Sequence, residues 1–208
     1  MQPRSYDPLA YSSLSEVLAR EIMLSELVPL SSIDEFYGNG VYALFYTGDF
    51  YAYHELAEVN KRAPGTFPIY IGKAGPQTMT GRDLDVTTED ASRAGKRLYD
   101  RLNDHRASIA RATNLDVNDF ACRILVLNAL WVPLAESALI ATYTPVWNCI
   151  VRGFGNHAPG KIRAAGRISK WDVLHPGRGH VTDTDYEYNG LVDDIRNEIH
   201  QRIEILGL

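Results

Sequence analysis

Between residues 12 and 27 the apolar positions Leu14, Val17, Leu18 and Ile22 recur at steps of three and four, the spacing of one helical face, with Ser12, Ser13 or Ser15 available as the cap. Pro29 and the Ser31-Ser32 pair end that segment. The pattern then changes. Gly40 to Tyr46 and Phe67 to Ile71 are dense in aromatic and β-branched residues and predict two strands. Between them Phe50 to Arg62, with Tyr53, Leu56 and Ala57, predicts a helix that Pro64-Gly65 terminates. From Ala91 to Ala112, Leu98, Leu102 and Ile109 make one apolar stripe beside many Arg and Lys, a long amphipathic helix with a basic face. Phe120 to Leu127 reads as a nearly continuous apolar strand, and Pro133 to Thr142 as a helix with proline in its first turn. From Pro145 to Gly179 the chain reads as glycine-rich loop. Leu191, Ile195, Ile199, Ile203 and Leu206 then mark a last amphipathic helix whose apolar side needs a partner. No internal repeat or low-complexity tract interrupts this order.

Size and composition bound the picture without changing it. A chain of 208 residues, 45% hydrophobic and 23% charged, suffices for one elaborated domain with a real core, which we expect to span 1–208. No apolar run approaches bilayer length and Met1 to Pro8 lacks a signal-peptide profile, so a cytoplasmic protein without membrane contact is expected. Cys122 and Cys149 have neither metal-ligand nor disulfide spacing and are expected to be buried, reduced thiols.

Charge does change the picture, through its distribution. The net charge is -5. Yet residues 93–178 hold 13 Lys and Arg against 6 Asp and Glu, while residues 1–60 hold 2 against 9 and residues 179–208 hold 2 against 7. Cationic charge gathered in one half of a chain can face phosphates, with acidic flanks keeping the protein soluble.

Several residues in this frame carry candidate chemistry. Arg97, Arg101 and His105 follow at steps of four, so a guanidinium and an imidazole share a helix face and can hold a phosphate and assist proton transfer; a solvated basic face paired with Asp100 and Asp104 is the plainer alternative. Glu136 is the one carboxylate between Asp119 and Asp172, and it sits in an apolar helix. One carboxylate, substrate phosphates and water are enough to hold magnesium. Tyr42 and Tyr70 are either core or chemical groups; a phenol becomes a useful base only beside a cation, and Lys73 is one candidate for that charge. In the glycine-rich tail Arg152, Lys161, Arg163, Arg167, Lys170 and Arg178, with Asn156 and His157 among them, form a candidate DNA-contacting set, some able to read guanines in a major groove. His157, His175 and His180 fit no zinc spacing.

The order Gly40-Val41-Tyr42, Tyr70-Ile71-Gly72-Lys73, then Arg101 and His105 on a helix, Glu136 on a helix and Asn148 resembles the GIY-YIG nuclease superfamily over roughly residues 38–150. The resemblance implies motif tyrosines at Tyr42 and Tyr70, a transition-state guanidinium at Arg101, an imidazole at His105, a metal ligand at Glu136 and a supporting amide at Asn148. Val41 replaces the usual Ile, and Tyr42 and Tyr70 lie 28 positions apart, so residues 47–66 look like an insertion. Such insertions resemble those of the type II restriction endonuclease branch. The tail segments Arg152 to His157, Gly160 to Arg163 and Trp171 to Arg178 resemble the branch that cuts CCGCGG.

These readings lead to one expectation: an α/β fold with a small, largely antiparallel sheet flanked by helices, a helical extension over 1–37, and DNA-binding and dimer elements in 47–66 and 150–208. Its activity is expected to be magnesium-dependent cleavage of double-stranded DNA, one ion per site, by a two-fold dimer suited to a palindrome. A repair or homing nuclease of the same superfamily and a non-catalytic nucleic-acid-binding module are the alternatives.

Overall fold

The computed structural model describes residues 11–76, 94–155, 169–178 and 188–207. Among these residues four strands form one sheet in the order β1-β4-β2-β3: β1 (Val28–Pro29), β2 (Asn39–Tyr46), β3 (Pro68–Ala74) and β4 (Phe120–Leu127). Every pairing is antiparallel, with Tyr42 opposite Gly72 on one side and Ile124 on the other. The chain is therefore mixed α/β, an antiparallel sheet flanked by helices. None of the described helices is long and apolar enough to cross a membrane.

Strand β2 is buried from end to end because both of its faces are covered. On one face Val41, Ala43 and Phe45 pack with Ile71 against α1 (Tyr11–Leu24) and α4 (Val132–Tyr143). On the other, Tyr42, Leu44 and Tyr46 join the larger core built with α2 (His54–Arg62), α3 (Arg97–Arg111), α5 (Val146–Cys149), α6 (Lys170–Leu174) and α7 (Tyr188–Leu206). The apolar side of α7 finds its partner within the chain: Leu191, Val192, Ile195 and Ile199 are buried in that core.

Residues 47–66 form a 3-10 turn, Tyr51–Tyr53, leading into α2. Buried Asn60 ties both ends of this segment to the sheet: its amide nitrogen donates to the carbonyls of Tyr46 and Phe67, and its oxygen accepts from the Phe67 and Thr66 amides. One side chain thus satisfies the backbone where β2 ends and β3 begins.

Four expectations change. The first helix starts at Tyr11 and stops at Leu24, so Ser12, Ser13 and Ser15 lie within it; Ser25 Oγ donates to the Ile22 carbonyl at its end. Pro29, expected with Ser31-Ser32 only to end that helix, instead belongs to a two-residue strand, Val28–Pro29, that pairs with β4 at the sheet edge, where proline's missing N–H is tolerated. The tail after Pro145 contains two short helices, α5 and α6, because Trp147, Trp171 and Leu174 are drawn into the core. Cys122 is buried and burial pushes its thiol up to about 12, whereas Cys149 is only half-buried.

Candidate active site

The antiparallel register decides where the tyrosines go. Cross-strand partners point to the same face, so Tyr42, Gly72, Leu44 and Tyr70 share one side of the β2–β3 pair. Tyr42 lies fully buried over Gly72, and the centroids of the Tyr42 and Tyr70 rings are 6.2 Å apart. Glycine is required under that ring: a Cβ at residue 72 would come 2.3 Å from Tyr42 Oη and 2.5 Å from its Cζ. Gly72→Ala is expected to push the Tyr42 ring aside, costing about 1–3 kcal/mol of stability as over-packing does. Urea unfolding of the variant beside wild type measures it, and an unchanged midpoint would rule the contact out as a constraint.

Helix α3 brings the next two groups. Its buried stripe is Leu98, Leu102, His105 and Ile109, so His105 occupies a core position and is 1% exposed. Its Nε2 lies 2.5 Å from Tyr42 Oη, the two atoms sharing one hydrogen. Arg101, one turn earlier, lies close enough to both phenols for its charge to favour their ionised forms, and it donates from Nη2 to the Gly155 carbonyl at 2.6 Å. Arg97 stays outside this arrangement; it is exposed and its Nε donates to the Ala94 carbonyl. The stretch predicted as one basic face is therefore divided, with Arg101 and His105 turned towards the sheet.

Burial, above all, raises the Tyr42 hydroxyl well beyond the ordinary phenol range, and the neighbouring Tyr70 adds to this against the opposing pull of Arg101. Burial raises Tyr70 as well, again opposed by Arg101. The Glu136 carboxylate acts on both phenols in the same upward sense, so it stands close enough for its charge to reach them. It projects from α4, its side chain 20% exposed, and its Oε2 receives Lys73 Nζ at 2.7 Å. Lys73 therefore pairs with the carboxylate, and the cation held against the tyrosines is Arg101.

Asn148 on α5 reaches the free edge of β3. Its Oδ1 accepts from Ile71 N and its Nδ2 donates to Ile71 O, both at 2.8 Å. Among the described residues no strand pairs with β3 on that side, so this amide supplies the two ladder bonds that a further strand would give and fixes the strand between Tyr70 and Gly72. Two further contributors carry no motif that marks them in the chain. Phe154 stacks on the His105 ring at 4.5 Å and 19°, and Gly155 lends its carbonyl to Arg101. The only sign of them in the chain is the Gly153-Phe154-Gly155 triplet, an aromatic residue set between two glycines.

The candidate DNA-contacting residues divide. Asn156, His157, Lys161, Arg163 and Arg167 lie outside the described residues. Arg152 is exposed and Lys170 half-buried. The Arg178 side chain is 4% exposed and engages Asp172 at 2.7 Å, facing the protein interior.

His175, of the three tail histidines, lies in a buried polar chain. Trp147 Nε1 donates to Tyr53 Oη, Tyr53 Oη lies 2.8 Å from His175 Nε2, His175 Nδ1 lies 2.9 Å from Asn114 Oδ1, and Asn114 Nδ2 donates to the Leu174 carbonyl. Every donor meets an acceptor when the imidazole is neutral and protonated at Nδ1. Burial, aided by the Arg178 charge, pulls its pKa down to about 3. The unfolded chain, with an ordinary value near ~6.5, binds this proton more readily. The contribution of His175 is thus complete above pH 6.5 and is lost as pH falls towards 3, the loss reaching about 2 kcal/mol at pH 5. Urea midpoints at pH 7.5 and 5 should fall further for wild type than for His175→Gln; equal drops would refute the assignment.

Among the described residues no three His, Cys, Asp or Glu side chains gather into a metal-binding group. A single hard carboxylate, already partnered by an ammonium, does not suit a resident metal; it does suit a magnesium ion that arrives with phosphate oxygens and water as its other ligands. Two phenols, a guanidinium, an imidazole and one carboxylate around an edge strand suit phosphodiester hydrolysis. A search of curated proteins returns no match. A family model described as the Eco29kI GIY-YIG domain matches residues 34–204, most of the chain and every residue of the constellation just described. The chain belongs to the Eco29kI family of GIY-YIG type II restriction endonucleases.

Proposed function

We propose that this DNA endonuclease cuts both strands of a short palindromic G/C-rich site, CCGCGG, as a cytoplasmic homodimer using one magnesium ion per active site. The observation that carries the chemistry is the pairing of Tyr42 Oη with His105 Nε2 at 2.5 Å, inside a site where Arg101 and Glu136 both act on the phenols. The CCGCGG assignment is supported by the tail segments Arg152 to His157, Gly160 to Arg163 and Trp171 to Arg178.

Tyr42 is neutral at pH 7 in so buried a position, so it serves as a proton relay. It takes a proton from the attacking water while passing its own to His105 Nε2, and no free phenolate is needed. The water oxygen bonds to phosphorus as the bond to the 3′ oxygen breaks. Arg101 holds the phosphoryl oxygens, where negative charge builds. Glu136 would hold the magnesium ion, with Lys73 keeping the carboxylate compensated until then. Held there, it would supply positive charge near the leaving 3′ oxygen. Asn148 keeps β3, and with it Tyr70, in place.

Supercoiled plasmid incubated with the protein and magnesium gives discrete fragments on this reading, and sequencing their ends gives the site. A nicked smear would favour a structure-directed nuclease, and a band shift without cutting a binding module. Gel filtration with and without DNA tests the dimer; a monomer throughout would remove it.

A further inference from the structure

We propose that Arg178, through a buried pair with Asp172, is a positioning residue for Arg101 and His105, holding the strap Gly153-Phe154-Gly155 against the catalytic side chains. The proposal rests on the nuclease reading of the site. Arg178 Nε donates to Asp172 Oδ1 at 2.7 Å, Nη1 donates to the Phe154 carbonyl at 2.9 Å and Nη2 to the Gly153 carbonyl at 3.1 Å. Its guanidinium also stacks over the Trp171 ring at 4.2 Å. All three nitrogens are thus used on one carboxylate and two consecutive carbonyls, a fork that the planar guanidinium matches and an ammonium does not. Asp172 is itself fixed: Ser169 Oγ donates to its Oδ2 at 2.5 Å and caps the first turn of α6.

The strap touches this clamp on one side and the site on the other. Gly153 has φ +122°, and a Cβ there would lie 2.2 Å from Ser169 Oγ, so the backbone is pressed directly onto the clamp. Phe154 packs on Trp147 and Trp171 behind and stacks on His105 in front, meeting Tyr70 edge-on at 5.0 Å. Gly155 accepts from Arg101, and a Cβ there would come within 2.5 Å of Tyr70 Oη. Arg101 and His105 therefore each rest on a strap residue whose own position depends on a cation from the far end of the tail. Supporting contacts of this kind matter because misplacing a reacting group by about 1 Å costs about 10²-fold in rate.

The experiment compares wild type, Arg178→Ala, Ser169→Ala, Arg101→Lys and the Arg101→Lys/Arg178→Ala double variant. It measures single-turnover cleavage of plasmid with magnesium, affinity for a DNA fragment with calcium, and the His105 Hε1 resonance of the free protein. Arg178→Ala should cut about 10²-fold more slowly while its DNA affinity stays within about threefold of wild type. Adding it to Arg101→Lys should cost far less than the product of the two losses. Its His105 resonance, displaced by the Phe154 ring, should move towards the unfolded position. Weakened affinity with a shallower salt dependence would make Arg178 a phosphate contact and overturn the proposal, as would multiplying losses or a wild-type rate. Should Arg178→Ala fail to fold, Ser169→Ala, which removes one hydroxyl from the clamp, must show the same split between rate and affinity, and overturns the proposal if it does not. If wild type itself does not cut, the nuclease reading fails separately, and an unmoved His105 resonance in the variants still refutes the clamp.

Discussion

Glu136→Gln is expected to reduce single-turnover DNA cleavage by about 10³-fold or more while leaving DNA binding intact. Few carboxylates are at hand. Glu136 is the one acid in the stretch from Phe120 to Trp171, and no cluster of three ligating side chains stands elsewhere among the described residues. An amide of the same shape keeps the packing of α4 but presents no charge to a divalent ion and no longer balances Lys73. The fold should tolerate the change, because the Lys73–Glu136 pair is half open to solvent, with side chains 43% and 20% exposed, and such pairs contribute at most about 1 kcal/mol. Affinity for DNA should hold or rise, since a negative charge is removed near the phosphates. Filter binding together with cleavage in magnesium decides the matter, and cleavage near the wild-type rate would end the metal role of this residue.

Tyr42→Phe should cost about 10³-fold in the same assay, the range of a lost general acid–base group. The substitution deletes one oxygen and leaves the ring, the sheet and the tilted ring contacts with Tyr70 and His105 in place. It also leaves His105 Nε2 without its buried partner, worth about 1–3 kcal/mol of stability, which a melting curve will report. Tyr70→Phe is the comparison. Tyr70 is 8% exposed against 0% for Tyr42, and it meets His105 edge-on with ring centroids 5.3 Å apart, so its loss should be smaller. A larger loss for Tyr70→Phe would move the proton acceptor to that residue. The relay also has a pH signature. Since burial holds the Tyr42 phenol well above its ordinary value, a mechanism needing its free phenolate would speed up about tenfold per pH unit past pH ~10, a rise that a relay through the neutral phenol does not require.

How far the sequence could be read differs from element to element. Strand β4 matches its expected bounds, Phe120 to Leu127, because a nearly unbroken apolar run between Asp119 and the turn at Asn128 leaves little choice. The last helix was legible in the same way from Leu191, Ile195 and Ile199. Strand β1 was not: two residues ending in proline carry no periodic signal, and only the exposed edge of β4 gives them a role. The tail likewise reads as loop, since α6 is five residues long and exists because Trp171 and Leu174 have a core to enter. Among the chemical groups the order of Tyr42, Tyr70, Arg101, His105, Glu136 and Asn148 could be read directly. Their partners could not. Charge alone assigned Lys73 to the tyrosines and Arg178 to DNA, and the folded chain puts the first on Glu136 and the second on Asp172.

By itself, then, the chain determined which side chains are available, which segments are periodic enough to become strands and helices, and that cationic charge gathers between residues 93 and 178. Local patterns suffice for this because hydrophobic period and side-chain chemistry are properties of neighbours. Tertiary structure alone decided who meets whom: that His105 is a core residue on Tyr42, that Asn148 completes the edge of β3, and that Arg178 turns inward to grip the Phe154 backbone. Those contacts span from 24 to 77 positions along the chain. Two cations of identical charge are indistinguishable in sequence until packing gives one of them a carboxylate and two carbonyls to satisfy.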